Sequence, residues 1–433
     1  MIVYATHITP RLLYIWNFIS HELTGKDVHI TTDKNEFATH TGLCINYSQQ
    51  RIQQNECWIK PHGLLFETNI QQQEIQCFQW NDLKVFFKTE GDIAFDIAAA
   101  SFYLLSRYEE YLPHQKDMYG RFAHENALGY KEQFLHRPII NEWLLSFSQI
   151  LQLKDSRFQP AKKMFEWLPT YDIDEAYSFK HKSLLRTFGA IVKDLFTGNF
   201  KQISLRLKVL NQKQNDPFDV YEWMDHLHQQ YQLHPKYFFL VANQNGRYDK
   251  NILPNQPAFQ NLIKQHSEKY SIGIHPSWQS GDNVLLLKKE LESLKKIANQ
   301  EIYDSRQHFI RFSLPHTFRL LIINGITDDY SMGYGSINGF RASVASSFFW
   351  YDLENESITT LRLHPFCFME ANSFYEQKQS THDALKEMMA YYQIVKKIEG
   401  RFITIWHNTF LGTDKKFEGW RDVYENFVKE IKS

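Results

Sequence analysis

From Met164 onward the chain repeats one pattern, a short apolar run that closes on a polar or charged residue and is followed by a stretch with the period of an amphipathic helix. The runs are MFEWLPTYD, KYFFLVA, YSIGIH, INGIT, TTLRLHPF and RFITIWH. Near-continuous apolar runs of this length suit strands covered on both faces, and strands separated by helices suit parallel βα units. The spacing predicts an α/β fold over residues 161–433, a (β/α) barrel of about six or seven strands. No GxGxxG follows any of the runs, so a dinucleotide-binding sheet lacks its fingerprint. Helix boundaries are predicted at Asp216-Pro217, as cap and first-turn proline before VYEWMDHLHQQY. Ser380 with Asp383 reads as a capping box, and Gly400 as a helix stop.

With 433 residues the chain exceeds one ordinary domain. Residues 1–160 mix β-like runs (1–5, 28–32 and 85–88) with helical stretches such as 96–107, and read as a smaller α/β domain. It ends in the helical RPIINEWLLSFSQIL and the polar LKDSRFQPAKK, the expected boundary. Within it, IAFDIAAASFYLL is too short for a bilayer and contains Asp96, so it is predicted to be a buried helix. A hydrophobic content of 43 % fits a chain that folds throughout. The net charge of −1 supplies no field toward nucleic acid, and no nucleic-acid partner is expected. Cys44, Cys57, Cys77 and Cys367 form no CxxC and are expected to be reduced core thiols. The opening MIVYATHITPRLLYIW lacks the pattern of a cleaved signal. A cytoplasmic protein without a transmembrane segment is therefore expected.

One insertion interrupts the rhythm after the first barrel strand, SFKHKSLLRTFGAIVKDLFTGNFKQISLRLKVL. Leu184, Leu185, Phe188, Ile191, Val192 and Leu195 fall at helical spacing, flanked by Lys180, Lys182, Arg186 and Lys193. A long basic amphipathic helix is predicted. Its commoner fate is to pack on the barrel rim; the alternative is a peripheral contact with a membrane surface or an anionic glycan.

In a parallel barrel the polar residues just past the strand ends converge on one mouth. Those residues are Asp172 and Asp174 in TYDID, His275 in GIHPSW, Arg306 and His308 in SRQHFIRF, Asp328 and Asp329 in TDDY, Arg341 in GFRAS, His364 in LRLHPF and His407 in IWHN. Two carboxylates at one strand end suit a division of labour, one binding a divalent metal and the other acting as general base. A lone DxD is otherwise a common solvated turn. Adding His275 makes half of an Asp/His metal shell. A glycosidase built on Asp172 or Asp174 would leave the histidines without a role.

TYDIDEAY and GIHPS resemble, in order and strand placement, the first two motifs of the polysaccharide deacetylases, the NodB-homology group of carbohydrate esterases. The resemblance implies a deformed barrel, a divalent metal such as Zn, and hydrolysis of acetyl groups on a glycan or amino-sugar substrate. Carried over, Asp172 looks like the base and Asp174 and His275 like metal ligands; SRQHF does not reproduce the family's Arg-x-Pro-Tyr segment, although Arg306 could still orient the base. His407 resembles the general acid for the leaving amine, with His364 the competing assignment. The family's second metal histidine, four residues after the first, is Gln279 here. The resemblance then points to His308 as the completing ligand, to a weakly held metal, or to a glycan-binding or assembly protein that keeps the barrel without catalysis. Asp328 or Asp329 is the candidate substrate-positioning carboxylate. Tyr171, Tyr177, Trp278, Tyr330, Tyr334 and Trp406 are expected to stack on sugar rings or to fill the core. A closer resemblance spans nearly the whole chain. It is to a little-studied subgroup of bacterial proteins with an extra N-terminal α/β module, and is carried by FDIAAASFYLLSRYEEY, YGRF, RPIINEW, GITDDYSMGY and GFRAS. In SRYEEY, Arg107, Glu109 and Glu110 are expected to form an ion-pair cluster between the two parts.

Overall fold

The computed structural model describes residues 1–432. Its first part is built on four parallel strands in the order His29–Thr31, Ile2–Ala5, Cys44–Tyr47, Cys57–Ile59. All four residues of the central Ile2–Ala5 strand are buried, as an apolar run between two covered faces requires. Helix Pro10–Thr24 starts on a first-turn proline, with Thr9 capping through Leu12 N. The run predicted as a buried helix is one: all nine residues of Ile97–Leu105 are buried. Its single charge, Asp96, is used at the start, where it accepts from Ala99 N at 2.9 Å and from the Tyr47 hydroxyl at 2.6 Å.

The second part is a larger sheet. Seven parallel strands follow one another in the order Arg401–His407, Glu166–Ile173, Lys236–Phe239, Ser271–Ile274, Asp304–Ser305, Asp328–Asp329, Ser357–Leu363. Phe368–Met369 lies outside the first, and the antiparallel Phe348–Asp352 outside the last. The ladder does not close into the predicted barrel. Arg362 and Leu363 pair with Asp328 and Asp329, and only beyond Cys367 do Phe368 and Met369 pair with Thr404 and Ile405. One stretch of chain thus meets both edges of the sheet, and the ladder is open between them.

Several boundaries differ from the sequence reading. INGIT is not a strand: its Ile-Asn-Gly lies at the end of helix His316–Ile323, and the strand begins at Asp328. Asp216 does not cap the helix Tyr221–Tyr231. Its carboxylate accepts from the amides of Ser178, Phe179 and Lys180 at 2.7, 2.8 and 2.9 Å, and so pins the loop that follows the first strand. Ser380 caps Thr381–Lys397 as expected. At that helix's end the left-handed residue is Glu399, with φ 51°; Gly400 is needed instead for close approach, since a Cβ there would stand 3.0 Å from Ala345 O. The predicted long basic helix is two, Leu184–Phe196 and Phe200–Leu210, broken where Gly198 takes φ 68°.

A hydrophobic core runs without interruption through both parts. Across their junction Glu110 accepts from Arg341 Nε and Nη2 at 2.8 and 2.7 Å, and from Arg107 Nε at 2.8 Å. Burial opposes the charge of Glu110, but the two guanidiniums outweigh it and hold the carboxyl down at about 2. Helix Pro10–Thr24 also grips the antiparallel edge. Arg11 Nε donates to Glu356 at 2.9 Å, and Tyr14 Oη to Phe349 O at 2.7 Å. The four cysteines are unpaired. No helix among the described residues is long and apolar enough to cross a membrane.

Candidate active site

Strand Glu166–Ile173 is buried from Leu168 to its end, and Asp172 and Asp174 fall at its C-terminal exit. Neighbouring strands end in the same region, which brings in His275 after Ser271–Ile274, Arg306 and His308 after Asp304–Ser305, and His407 at the end of Arg401–His407. Asp174 is the hub. Its Oδ1 lies 3.1 Å from His275 Nε2, and its Oδ2 lies 3.4 Å from His308 Nε2 and 3.5 Å from His407 Nε2. The ligand atoms of Asp174, His275 and His308 all lie within 4.8 Å of one another.

Both imidazoles are held from behind. His275 Nδ1 is 2.6 Å from Arg306 O, and His308 Nδ1 is 3.0 Å from Asp249 Oδ1. Each acceptor takes the Nδ1–H and turns Nε2 toward Asp174, the orientation that metal-ligating histidines adopt. Asp174 keeps 26 % of its side chain open, yet its Oδ1 is buried without a hydrogen bond. An orphaned carboxylate oxygen beside two aimed imidazole nitrogens fits a divalent cation. Burial works against the charge of Asp174, but His308, His275 and His407 outweigh it and hold the carboxyl well below its usual range. His308 responds in the opposite sense: burial pulls it down, and Asp174 and Asp249 raise it to about 9.

Asp172 is placed differently from Asp174. Its Oδ1 accepts from Arg306 Nη1 at 2.8 Å, and that nitrogen also donates to Thr170 Oγ1 at 2.8 Å. Its Oδ2 approaches His275 Nε2 only to 3.8 Å and has no hydrogen bond. Arg306 is fully buried and braced by Tyr330 O at 3.1 Å and by the face of Phe238. His407 Nδ1 is 2.7 Å from Glu370 Oε1. Burial lowers His407, but Glu370, Asp174 and Asp172 raise it to about 10.

Asp172, Asp174, His275, His308 and His407 line a cleft of about 640 Å³. Part of its wall comes from the first 160 residues, through Met118, Tyr119 and Arg121. Arg121 fixes that wall by donating to Phe309 O at 2.8 Å and Gly335 O at 3.0 Å. Tyr119 meets the edge of Trp278, which stacks on Tyr248 at 3.9 Å between centroids.

Several residues expected at the mouth lie elsewhere. His364 bonds Asp328 Oδ1 and Ser347 Oγ, each at 2.7 Å, and Arg401 Nη1 at 2.9 Å, and it stacks on Tyr330. One row of the sheet passes from Ile173 through Phe239, Ile274, Ser305 and Asp329 to Leu363, and the next residue, His364, reaches Arg401 through its side chain. On its other side Asp172 pairs with His407. Strands that slant to a sheet's axis make such a row drift. Here the drift is the stretch between Arg401 and His407, roughly 20 Å at strand rise, which removes His364 from the cleft. Asp329 is buried beneath the cleft and bonded to Ser305 Oγ at 2.6 Å and Ser331 N at 2.9 Å. Burial raises it to about 6 against those bonds. Asp328 belongs to His364, and Arg341 to Glu110. Tyr171, Tyr330, Tyr334 and Trp406 are core residues. Gln279 is exposed and contributes nothing to the cleft lining.

Two functional neighbours were not read from the sequence, Asp249 behind His308 and Glu370 behind His407. Asp249 sits in a polar loop, NQNGRYDKN, with no apolar run to anchor it. Glu370 follows a strand only two residues long. The usual need of a metal-site histidine for a carboxylate or carbonyl behind its second nitrogen is the signal that could have prompted a search for them.

Residues 1–156 match the model of a protein family described as a family of unknown function, DUF7033. No curated protein matches the chain. Among solved structures, one from Mycobacterium smegmatis described as a polysaccharide deacetylase is 14 % identical, with 64 % of this chain and 86 % of that chain covered at a TM-score of 0.41. Puue allantoinase is 10 % identical, with 63 % and 86 % covered at 0.42. The polysaccharide deacetylase Bc1974 from Bacillus cereus is 10 % identical, with 63 % and 88 % covered at 0.30.

Proposed function

We propose that the chain is a metal-dependent hydrolase that removes acetyl groups from an amino sugar or glycan. The observation that carries this reading is the meeting of Asp174, His275 and His308 within 4.8 Å, next to a separate carboxylate, Asp172, that Arg306 holds. Two imidazole nitrogens and a carboxylate oxygen are a donor set suited to zinc. A cation held there would supply Lewis acidity toward an acyl carbonyl and toward water.

The remaining chemistry falls to the chain's own side chains. Asp172 Oδ2, the oxygen Arg306 leaves free, takes a proton from water as its oxygen adds to the acyl carbon. His407 is held by Glu370 and faces Asp174 through Nε2. It gives a proton to the nitrogen as the carbon–nitrogen bond breaks, leaving acetate and a free amine. Arg306 fixes the base at one oxygen and balances its charge in a buried setting. The rings of Tyr119 and Tyr248 give the cleft a wall on which a sugar face can lie.

The test is acetate release from N-acetylglucosamine oligomers by the purified chain, before and after chelation. Activity should fall to background when the metal is stripped and return on adding zinc. Activity that survives full removal of the metal rules out this chemistry. A chain that retains zinc but releases acetate from no acetylated sugar is instead a binding protein.

A further inference from the structure

The two-helix insertion shows its apolar residues to solvent. Leu184 and Phe196 are each 89 % exposed, and Leu185, Phe188, Leu195 and Phe200 are exposed with them. No residue of Leu184–Phe196 is buried, so the predicted packing of this apolar stripe on the rim does not occur. The reason lies in the helix's other side. Arg186, placed roughly opposite the stripe at helical periodicity, donates to Lys250 O at 2.8 Å, Asn245 Oδ1 at 3.1 Å and Asn251 O at 3.3 Å. The polar side is thus tied to the protein, and the apolar side is turned outward. Exposed apolar area on this scale marks a contact surface.

Charge distinguishes among the contacts. Residues 180–213 hold eight Lys and Arg against one Asp, a net of +7 in a chain whose total is −1, so the remainder carries −8. Lys193, Lys201, Lys208 and Lys213 form no ion pair among the described residues. A second copy of this chain, docked face to face, would set one +7 surface against another and is disfavoured by repulsion. An anionic bilayer answers both features, with hydrocarbon for Leu and Phe and phosphate for Lys and Arg.

We infer that the helical pair Leu184–Phe196 and Phe200–Leu210 docks the protein on an anionic membrane surface. The pair is rooted at the cleft rim, because Lys250 and Glu175 both line the cleft and are bonded to Arg186 and Lys182 respectively. Docking therefore brings the cleft rim close to the bilayer. The inference does not depend on the hydrolase reading.

The test is co-sedimentation of the full chain with vesicles of phosphatidylglycerol and phosphatidylcholine in equal parts, with phosphatidylcholine alone for comparison. The chain should bind the anionic vesicles, and added salt should weaken binding. Phe188→Ser with Phe196→Ser should weaken it by tenfold or more, on the order expected from two lost apolar insertions. Lys193→Ala with Lys201→Ala should cost about fivefold per residue. All four side chains are solvent-exposed, and unchanged circular dichroism and thermal unfolding check that the variants fold. No binding to the anionic vesicles, or equal binding by the serine variant, overturns the inference. So does a dimer in solution that the serine variant splits, which makes a second copy the occupant.

Discussion

Asp172→Asn is expected to lower turnover by about a thousandfold, the range a positioned general base contributes, while bound zinc stays at the level of the unaltered chain. Asparagine keeps an oxygen for Arg306 Nη1, now 2.8 Å from Asp172 Oδ1, so the hydrogen bond survives. The counter-charge of a buried guanidinium is lost, and some stability with it. Turnover must therefore be read at a temperature where circular dichroism shows the variant folded. Steady-state acetate release with zinc in excess is the measurement. A kcat within tenfold of the unaltered value assigns the proton transfer to another group.

Glu110→Ala is expected to destabilise the chain by about 3–5 kcal/mol, the cost of leaving a buried ion pair without one partner. Glu110 faces both Arg341 and Arg107, and all three side chains are almost fully buried. Alanine leaves two guanidiniums with only Glu109 nearby, which pairs with Arg107 alone at 2.7 Å. Because Arg341 belongs to the second part and Glu110 to the first, the loss falls on their junction. Equilibrium unfolding in urea measures it. A loss below about 1 kcal/mol, the range of an exposed pair, contradicts the assigned role.

The strand ends were legible because the apolar runs stop where the sheet stops. TYDID, GIHPSW and IWHN each deliver a polar side chain within one or two residues of a buried strand. His308 was reached by another route: its strand, Asp304–Ser305, is only two residues long and left no run to find, and His308 entered as the ligand that could complete the shell in place of Gln279. His364 illustrates the limit. Its run, TTLRLH, has the same form as RFITIWH and runs parallel to it, and only the slant of the strands decides whether each histidine falls in the cleft. That slant is a property of the assembled sheet and leaves no trace in either run. The cleft wall from residues 118–121 was not legible because it comes from a loop more than forty residues before the first strand of the second part. The basic insertion was read correctly as amphipathic. Its break into two helices depends on Gly198, and its outward face on carbonyl oxygens that Arg186 finds in a distant loop.

The central claim is that Asp174, His275 and His308 together hold one divalent cation. The direct measurement is zinc content by elemental analysis, after dialysis against micromolar zinc, of the unaltered chain and of Asp174→Ala, His275→Ala, His308→Ala and Gln279→Ala. The account predicts one zinc per chain in the unaltered protein and in Gln279→Ala, and loss of zinc in the other three. Full zinc in His308→Ala or Asp174→Ala would contradict it.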